Sequence, residues 1–466
     1  MTTADTTAAA IDARDRPGEA TGEVPASPSN PPATSTAGVA GRAREGRVAA
    51  FVRSTEVDAR LLGMVGALVV IWVGFHLYGG LVNGFAAFLT PRNLWNLSVQ
   101  TASIGVMATG MVLVIVTRHI DLSVGSILGF VAMSMALMQV EVLPGVFGLG
   151  SPMIWIVAAI FGLAVGAAIG AFHGVLIAYA GIPAFIVTLG GLLVWRGATF
   201  LTTRGETIAP LDDTFELLGG GPQGSIGATG SWIVGLLAIA AILVTLYLGR
   251  RQRARFGFPQ RPAWAEALLA LVGCGLVIAF VLLVNSYEWP RGIVRRAVAA
   301  GTLEEGEVPA HGFAIPVLIL IAVGIAMTFL VQRTRFGRYV FAIGGNPEAA
   351  ALAGIRTRWV TVKIFALMGM LAGLGAVISS ARLGSAASNL GTLDELYVIA
   401  AAVIGGTSFA GGIGTIYGAI LGALVMQSLQ SGMVLIGFDA ALQQVVVGSV
   451  LVFAVWLDTL YRGRAK

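Results

Sequence analysis

Apolar residues occur in this chain as long continuous runs, separated by shorter polar segments. Each run is about 20 residues long, the length that an α-helix needs to cross the hydrocarbon core of a bilayer. The runs lack the alternation of apolar and polar residues that marks the strands of a membrane β-barrel. The pattern therefore predicts an all-α, polytopic transmembrane helical bundle of about twelve spans. We place these spans at 61–82, 94–117, 122–140, 153–180, 183–203, 231–249, 265–285, 313–331, 364–381, 396–413, 415–436 and 440–457.

Two regions depart from this simple pattern. The stretches 94–140 and 396–436 are apolar over most of their length and are divided only by a short polar or glycine-rich break. Either division is compatible with a broken or re-entrant helix. Residues 1–60 have no apolar periodicity and are rich in Ala, Thr, Pro, Ser and Gly. Their composition predicts a disordered cytoplasmic tail ahead of a membrane domain over 61–466.

Composition supports the membrane assignment and excludes one source of energy. Of the 466 residues, 56% are apolar and only 11% are charged. A soluble chain cannot bury so much apolar surface, since a single core stops growing at about 250–300 residues. The chain has two lysines, Lys363 and Lys466, and neither stands in the Gly-Lys-Ser/Thr sequence of a phosphate-binding P-loop. We therefore expect a transport subunit that is not an enzyme and does not hydrolyse ATP by this route, so that a partner or an ion gradient supplies the energy.

Basic residues are distributed unevenly over the predicted loops. The segments 41–60, 250–263, 332–363 and 459–466 contain 19 Arg and Lys residues, whereas the loops on the other side contain six. Short loops rich in Arg and Lys remain on the cytoplasmic side of a membrane. The asymmetry therefore predicts that both termini are cytoplasmic.

The loop 332–363 contains the clearest local signal. Asn346, Pro347 and Glu348 form a helix start, because proline suits the first helical turn and an acidic side chain faces the positive end of the helix dipole. Gly354 is placed to end this helix. The short helix has two interpretations: a surface helix that caps the bundle, or a docking site for a cytoplasmic partner.

The same loop resembles a known motif. Glu348, Ala349 and Ala350, followed after three residues by Gly354, are similar to the cytoplasmic coupling motif of ABC-importer permeases. The strings that resemble ribose- and xylose-type sugar permeases are 333–350, 120–126, 181–190 and 402–412. The coupling-loop residues identified in this way are Gly344, Gly345, Asn346, Pro347, Glu348, Ala349, Ala350 and Gly354.

The resemblance implies an ABC-importer permease with a ribose-permease-like core in a bacterial plasma membrane. A second permease copy, an extracytoplasmic sugar-binding protein and a separate ATP-binding cassette subunit would complete the complex. ATP and Mg²⁺ would be bound by that ATPase, and this chain would bind no cofactor and no nucleic acid. The segment 231–312 is an insertion relative to short ribose-type members and favours the xylose type. The implied substrate is a monosaccharide, xylose or a related pentose; the alternatives are a branched-chain amino acid permease and an ion-coupled secondary transporter.

Polar side chains within the predicted spans are the candidates for a translocation path. Each also has a structural alternative: a helix cap for Asp121, hydrogen bonds to the own helix for Ser and Thr, and a side chain that reaches the interface for Arg196. The four histidines have no metal-ligand spacing, so no metal site is predicted. No catalytic arrangement is predicted either. The candidates are Asn96, Gln100, Asp121, Ser123, Thr188, Arg196, Thr407 and Ser408.

Overall fold

The computed structural model describes residues 54–56, 58–82 and 84–463, and most of these residues lie in helices. The predicted tail, 1–60, lies outside the described residues except at its end. The α-helices are α1 (Ala59–Val82), α2 (Pro91–Val116), α3 (Val124–Leu137), α4 (Leu143–Phe147), α5 (Met153–Ala178), α6 (Ala184–Thr203), α7 (Asp213–Glu216), α8 (Gly227–Arg255), α9 (Ala263–Asn285), α10 (Arg291–Ala299), α11 (Ile315–Arg333), α12 (Arg335–Gly345), α13 (Pro347–Leu352), α14 (Thr357–Leu383), α15 (Asp394–Ile404), α16 (Ile416–Leu435) and α17 (Ala440–Gly463).

Ten helices in the described ranges are long and apolar enough to cross a membrane, which confirms a polytopic helical bundle. One of the ten joins α3 to α4 through a π-helical turn at Met138–Val142. One of the twelve predicted spans, 396–413, differs from the structure. α15 has 11 residues, a length of about 17 Å that cannot cross a hydrocarbon core of about 30 Å. α17, Ala440–Gly463, covers the last predicted span, 440–457.

The predicted span 396–413 is broken because the chain leaves the helix after Ile404. Gly406 has a φ of +87°, a left-handed conformation that glycine adopts without steric cost. Gly405 packs directly on the next helix, since a Cβ there would lie 2.4 Å from the carbonyl carbon of Gly418. The chain stays irregular until Thr415, whose hydroxyl accepts a hydrogen bond from the backbone N–H of Gly418 and starts α16.

The bundle has two ends, which we name by the charge of their loops. The connections at the basic end are 117–123, 179–183, 256–262, 334–356 and 405–415. The longer connections at the acidic end are 204–226, 286–314 and 384–393. Loops contact one another at both ends: Gly412 donates a backbone hydrogen bond to Val116 at the basic end, and Ile208 and Ala386 exchange two at the acidic end.

α2 lies at the centre of the bundle and is buried along nearly its whole length. Beside it, α5 and α14 pack backbone to backbone. A Cβ on Gly166 would lie 2.3 Å from the carbonyl oxygen of Gly369, and a Cβ on Gly369 would lie 2.0 Å from that of Gly166. Small residues let membrane helices approach this closely, so α5 and α14 form a fixed wall on one side of α2.

The segment 231–312, the predicted insertion, is attached to α2 by an aromatic cluster at the acidic end. Trp95 donates its indole N–H to the carbonyl oxygen of Gly312 at 2.9 Å. Its ring centroid lies 4.8 Å from that of His311 and 5.5 Å from that of Tyr287. Burial lowers the pKa of His311 below its ordinary value, which favours an uncharged, stacked imidazole. The insertion therefore packs against the half of the central helix nearer the acidic end.

A second attachment of the insertion lies at the basic end. Glu56, just before α1, accepts hydrogen bonds from Arg253 at 2.6 Å and from Arg261 at 3.0 Å. The Arg253 hydrogen bond and the nearby Arg261 lower the pKa of Glu56 to about 2. The carboxylate thus stays charged at physiological pH, and the ion pair would weaken only as the pH falls from about 4.5 towards 2.

Candidate functional site

The short helix α13 begins and ends where the sequence predicts. The side chain of Asn346 accepts a hydrogen bond from the backbone N–H of Ala349 at 3.0 Å, and Pro347 is the first helical residue. Gly354 follows the helix with a φ of +83°. No atom of the described residues, apart from its chain neighbours, comes within 4 Å of the position a Cβ would take at Gly354. This glycine therefore serves the backbone turn and not a close contact within the chain.

α13 presents an apolar side chain to solvent at the basic end. Leu352 is 91% exposed, whereas Ala350 is buried and fixes the helix to the bundle. Trp359 and Tyr179 are also about half exposed. They line a cavity of about 470 Å³ beside α13 together with Ile355, Arg356, Thr357 and Arg358. We call Leu352, Glu348, Tyr179 and Trp359 the α13 face.

The loop that carries α13 is joined to the central helix. Arg118, at the end of α2, donates hydrogen bonds to the carbonyl oxygens of Gly344 at 3.0 Å and Gly345 at 2.8 Å. Gly344 also packs on the last turn of α2, because a Cβ there would lie 2.1 Å from the carbonyl oxygen of Val116. These contacts fix the chain just before α13 to the end of α2.

A polar cavity of about 430 Å³ opens between α2, α14 and α16, in their halves nearer the acidic end. Two of the predicted path residues, Asn96 and Gln100, line it. The other polar or charged lining residues are Asn93, Ser103, Ser379, Arg382, Asp394, Gln427, Gln430 and Ser431. None of these eight residues is among the path candidates predicted from the sequence, although 427, 430, 431 and 434 follow the spacing of one helix face and all line the cavity.

Amide and hydroxyl groups of the cavity are partly paired with one another. Ser431 donates to the Asn93 side chain at 3.1 Å, and Ser103 and Ser379 share a hydrogen bond of 2.8 Å. Gln427 has a buried Oε1 with no hydrogen-bond partner in the described ranges. Amides offer both donors and acceptors. The cavity can therefore exchange hydrogen bonds with a neutral solute that carries several hydroxyl groups.

An irregular segment of the chain closes the cavity on the side that faces the basic end. Leu390, Gly391 and Asp394 line its inner side, just before and at the start of α15. Arg196, on α6, donates hydrogen bonds to the carbonyl oxygens of Leu390 at 2.9 Å and Ser388 at 3.4 Å. Arg196, a predicted path residue, thus binds the backbone of the segment that closes the cavity. We call residues 388–394 the floor segment.

Three further candidates lie outside the cavity, towards the basic end. Ser123 donates from its backbone N–H and its hydroxyl to Asp121, at 2.8 and 2.6 Å. The Ser123 hydroxyl also lies 3.3 Å from Nδ1 of His173, whose Nε2 accepts from the indole of Trp195 at 3.1 Å. This buried chain of hydrogen bonds fixes the start of α3. Thr188 donates to its own helix at Ala184 and to Ile120.

Thr407 and Ser408 are buried in the irregular turn between α15 and α16. The Thr407 hydroxyl has no hydrogen-bond partner within the described part of the chain. The cavity thus brings together only two of the eight path candidates, and the transport roles of all eight stay predictions. Among the described residues, no group of three or more His, Cys, Asp or Glu side chains is arranged to hold a metal ion.

Comparison with known proteins gives consistent matches. The family described as the branched-chain amino acid transport system / permease component matches residues 93–455. The xylose transport system permease protein XylH of Escherichia coli is 35% identical over 413 residues, 88% of this chain and 94% of the relative. The ribose import permease protein RbsC of the same organism is 32% identical over 80% of this chain and 87% of its own length. The galactose/methyl galactoside import permease protein MglC of Salmonella typhimurium is 28% identical over 81% and 90%. No solved structure matches the chain.

Proposed function

This chain belongs to the ribose- and xylose-type family of ABC-transporter sugar permeases, and on that premise we propose that it conducts xylose or a related pentose into the cell. The polar cavity between α2, α14 and α16 carries this proposal. Its amide and hydroxyl lining suits a neutral polyhydroxylated solute. We propose xylose because the xylose permeases are 35% identical over 86–88% of this chain, compared with 32% over 80% for the ribose permease.

In the proposed complex, each end of the bundle contacts a different partner. We propose that the acidic end faces the outside and receives sugar from a binding protein, and that the basic end faces the cytoplasm. The α13 face would contact a separate ATPase subunit, which binds ATP and Mg²⁺, and two permease copies would form the pore. The segment 1–60 would be a cytoplasmic tail of which residues 1–50 are dispensable, 61–466 the permease domain and 332–363 the coupling loop.

A branched-chain amino acid is the second candidate substrate, and one observation favours it. Arg382 and Asp394, of opposite charge, both line the cavity. Such a pair could receive the carboxylate and ammonium groups of an amino acid. The amides around them outnumber these charges, and the sugar permeases among the relatives support the pentose.

Uptake by the reconstituted complex tests the choice. We expect the permease, assembled with its ATPase and binding protein in vesicles, to accumulate radiolabelled xylose when ATP is supplied. Unlabelled ribose should compete, since it has the same hydroxyl-rich chemistry, and leucine should not. ATP-dependent accumulation of leucine with no accumulation of xylose would refute the pentose proposal. The ATPase-deficient complex is the control for passive entry.

Cysteine labelling tests the proposed orientation. In a Cys274→Ser background, Asp213→Cys at the acidic end should react with an impermeant thiol reagent added outside intact cells. Arg251→Cys, an exposed position at the end of α8, should react only after the membrane is permeabilised. Both expectations follow from the excess of basic residues at the basic end. Labelling of Arg251→Cys from outside would reverse the assignment.

A further inference from the structure

The floor segment, 388–394, is an unusual way to end a cavity. The chain leaves α14 at the acidic end, where Ala386 pairs with Ile208, and then turns inward to reach the start of α15. Leu390, Gly391 and Asp394 meet the cavity from this segment. A cavity that closes on a loop, and not on the side of a helix, can open without moving a transmembrane helix.

The floor segment fits tightly into α3. A Cβ on Gly129 would lie 2.6 Å from the carbonyl oxygen of Leu390. Gly125 and Gly391 approach each other so closely that a Cβ on either would lie 2.3 Å from the carbonyl oxygen of the other. The contact therefore leaves no room for a solute to pass between α3 and the floor segment.

Arg196 attaches the floor segment to α6. Its NH1 donates to two carbonyl oxygens, Leu390 at 2.9 Å and Ser388 at 3.4 Å. A guanidinium group keeps its charge and offers several donors in a fixed plane, so it can hold two carbonyl groups of an irregular segment at once. The side chain reaches past Gly129, because a Cβ on that glycine would lie 3.4 Å from NH1.

The floor segment also has features of a segment that moves. Leu393 has a φ of +68°, a left-handed conformation that is uncommon for a branched residue. Glu395, the next acidic residue after the floor, is 6% exposed, and its Oε2 has no hydrogen-bond partner among the described residues. Strained backbone and an unpaired buried carboxyl oxygen both favour a second arrangement of this segment.

We infer that the floor segment is a gate in the sugar path and that Arg196 is the positioning residue that holds it closed. The inference rests on the proposed function, since it takes the polar cavity as the path. In the resting permease the gate separates the cavity from the turn that contains Thr407. Opening requires the two hydrogen bonds of Arg196 to break, after which the segment can move away from Gly125 and Gly129.

Passive leakage of sugar tests the gate. The complex is assembled with an ATPase subunit that cannot hydrolyse ATP, in vesicles loaded with radiolabelled xylose. We expect wild-type vesicles to retain the sugar. With Arg196→Gln, efflux should be about tenfold faster or more, as expected from the loss of hydrogen bonds to a charged group. Arg196→Lys should leak less than Arg196→Gln, because it keeps the positive charge on a nitrogen that can donate hydrogen bonds.

Arg204→Gln is the matched control, since it removes the same charge at the C-terminal end of the same helix. This variant should retain xylose. A purely structural role of Arg196 would lower the amount of permease in the membrane without raising efflux per molecule. Normal amounts of Arg196→Gln permease with no leak would overturn the inference.

A labelling experiment tests the gate without any sugar and without an Arg196 variant. In the Cys274→Ser background, Gln430→Cys in the cavity should react with an impermeant thiol reagent applied to the acidic end. Thr407→Cys, beyond the floor segment, should not react in the resting complex. Equal reaction rates at the two positions would overturn the closed floor. Because the reagent replaces the sugar, a wrong substrate proposal leaves this test intact.

Discussion

Replacing Leu352 by aspartate should abolish the stimulation of ATP hydrolysis by sugar-loaded binding protein in the assembled complex. Leu352 is 91% exposed on α13, so the change removes no packing within the permease. A partner that covers this side chain would instead have to bury a charge, which is costly unless the charge is paired. We therefore expect normal amounts of permease in the membrane and a basal ATPase rate without stimulation. The measurements are ATPase activity with and without loaded binding protein, and permease abundance.

Phe258→Asp is the matched control for this experiment. Phe258 is 64% exposed, lies in the 256–262 connection at the same end of the bundle, and does not line the cavity beside α13. It should keep full stimulation. Glu348→Arg and Gly354→Val should resemble Leu352→Asp, the second because valine does not tolerate a φ of +83°. Full stimulation in all three variants would show that α13 only caps the bundle and does not dock the ATPase.

The double substitution Gln427→Leu and Gln430→Leu should slow xylose uptake by about tenfold or more. Each amide can make hydrogen bonds with the solute that contribute about 0.5–1.5 kcal/mol, and 1.36 kcal/mol in a barrier corresponds to about tenfold in rate. Leucine keeps the volume and helix propensity of glutamine but has no donor or acceptor. The measurement is the uptake rate at saturating loaded binding protein, divided by permease abundance.

Gln444→Leu is the control for the cavity experiment, since Gln444 is exposed on α17, outside the cavity. Uptake should be unchanged. ATPase stimulation in the double variant should persist, because the α13 face is intact, so the complex would hydrolyse ATP with little transport. An unchanged uptake rate in the double variant would show that the sugar takes another route.

The sequence predicts the spans and α13 well because both depend on local properties. A run of about 20 apolar residues is sufficient to identify a membrane helix. Asn346, Pro347 and Gly354 act through their own backbone geometry, so their roles follow from residue type. The length of α15 could not be predicted from such local properties. Its end depends on the packing of Gly405 against Gly418, which brings together residues of two different helices.

Only two of the residues that line the cavity were predicted from the sequence, because the others come together only in the folded chain. Asn96 and Gln100 are polar residues within an apolar run and stand out individually. Arg382 and Asp394 fall between the predicted spans 364–381 and 396–413, and the sequence does not show that the chain between them turns inward. The sequence also does not indicate the role of His173, because its hydrogen-bonding partners Ser123 and Trp195 lie in two other parts of the chain.

The backbone contact between α5 and α14 bears on how genetic screens of this permease should be interpreted. Gly166 and Gly369 cannot accept even a methyl group without a shift of one helix. Every single-base change at these codons that alters the amino acid therefore introduces a side chain into the contact. Such alleles should be scored as transport-negative as often as those at Gln427, although no sugar would touch either glycine. A screen that also measures surface abundance will separate the two groups, because only the glycine alleles should lose the protein itself.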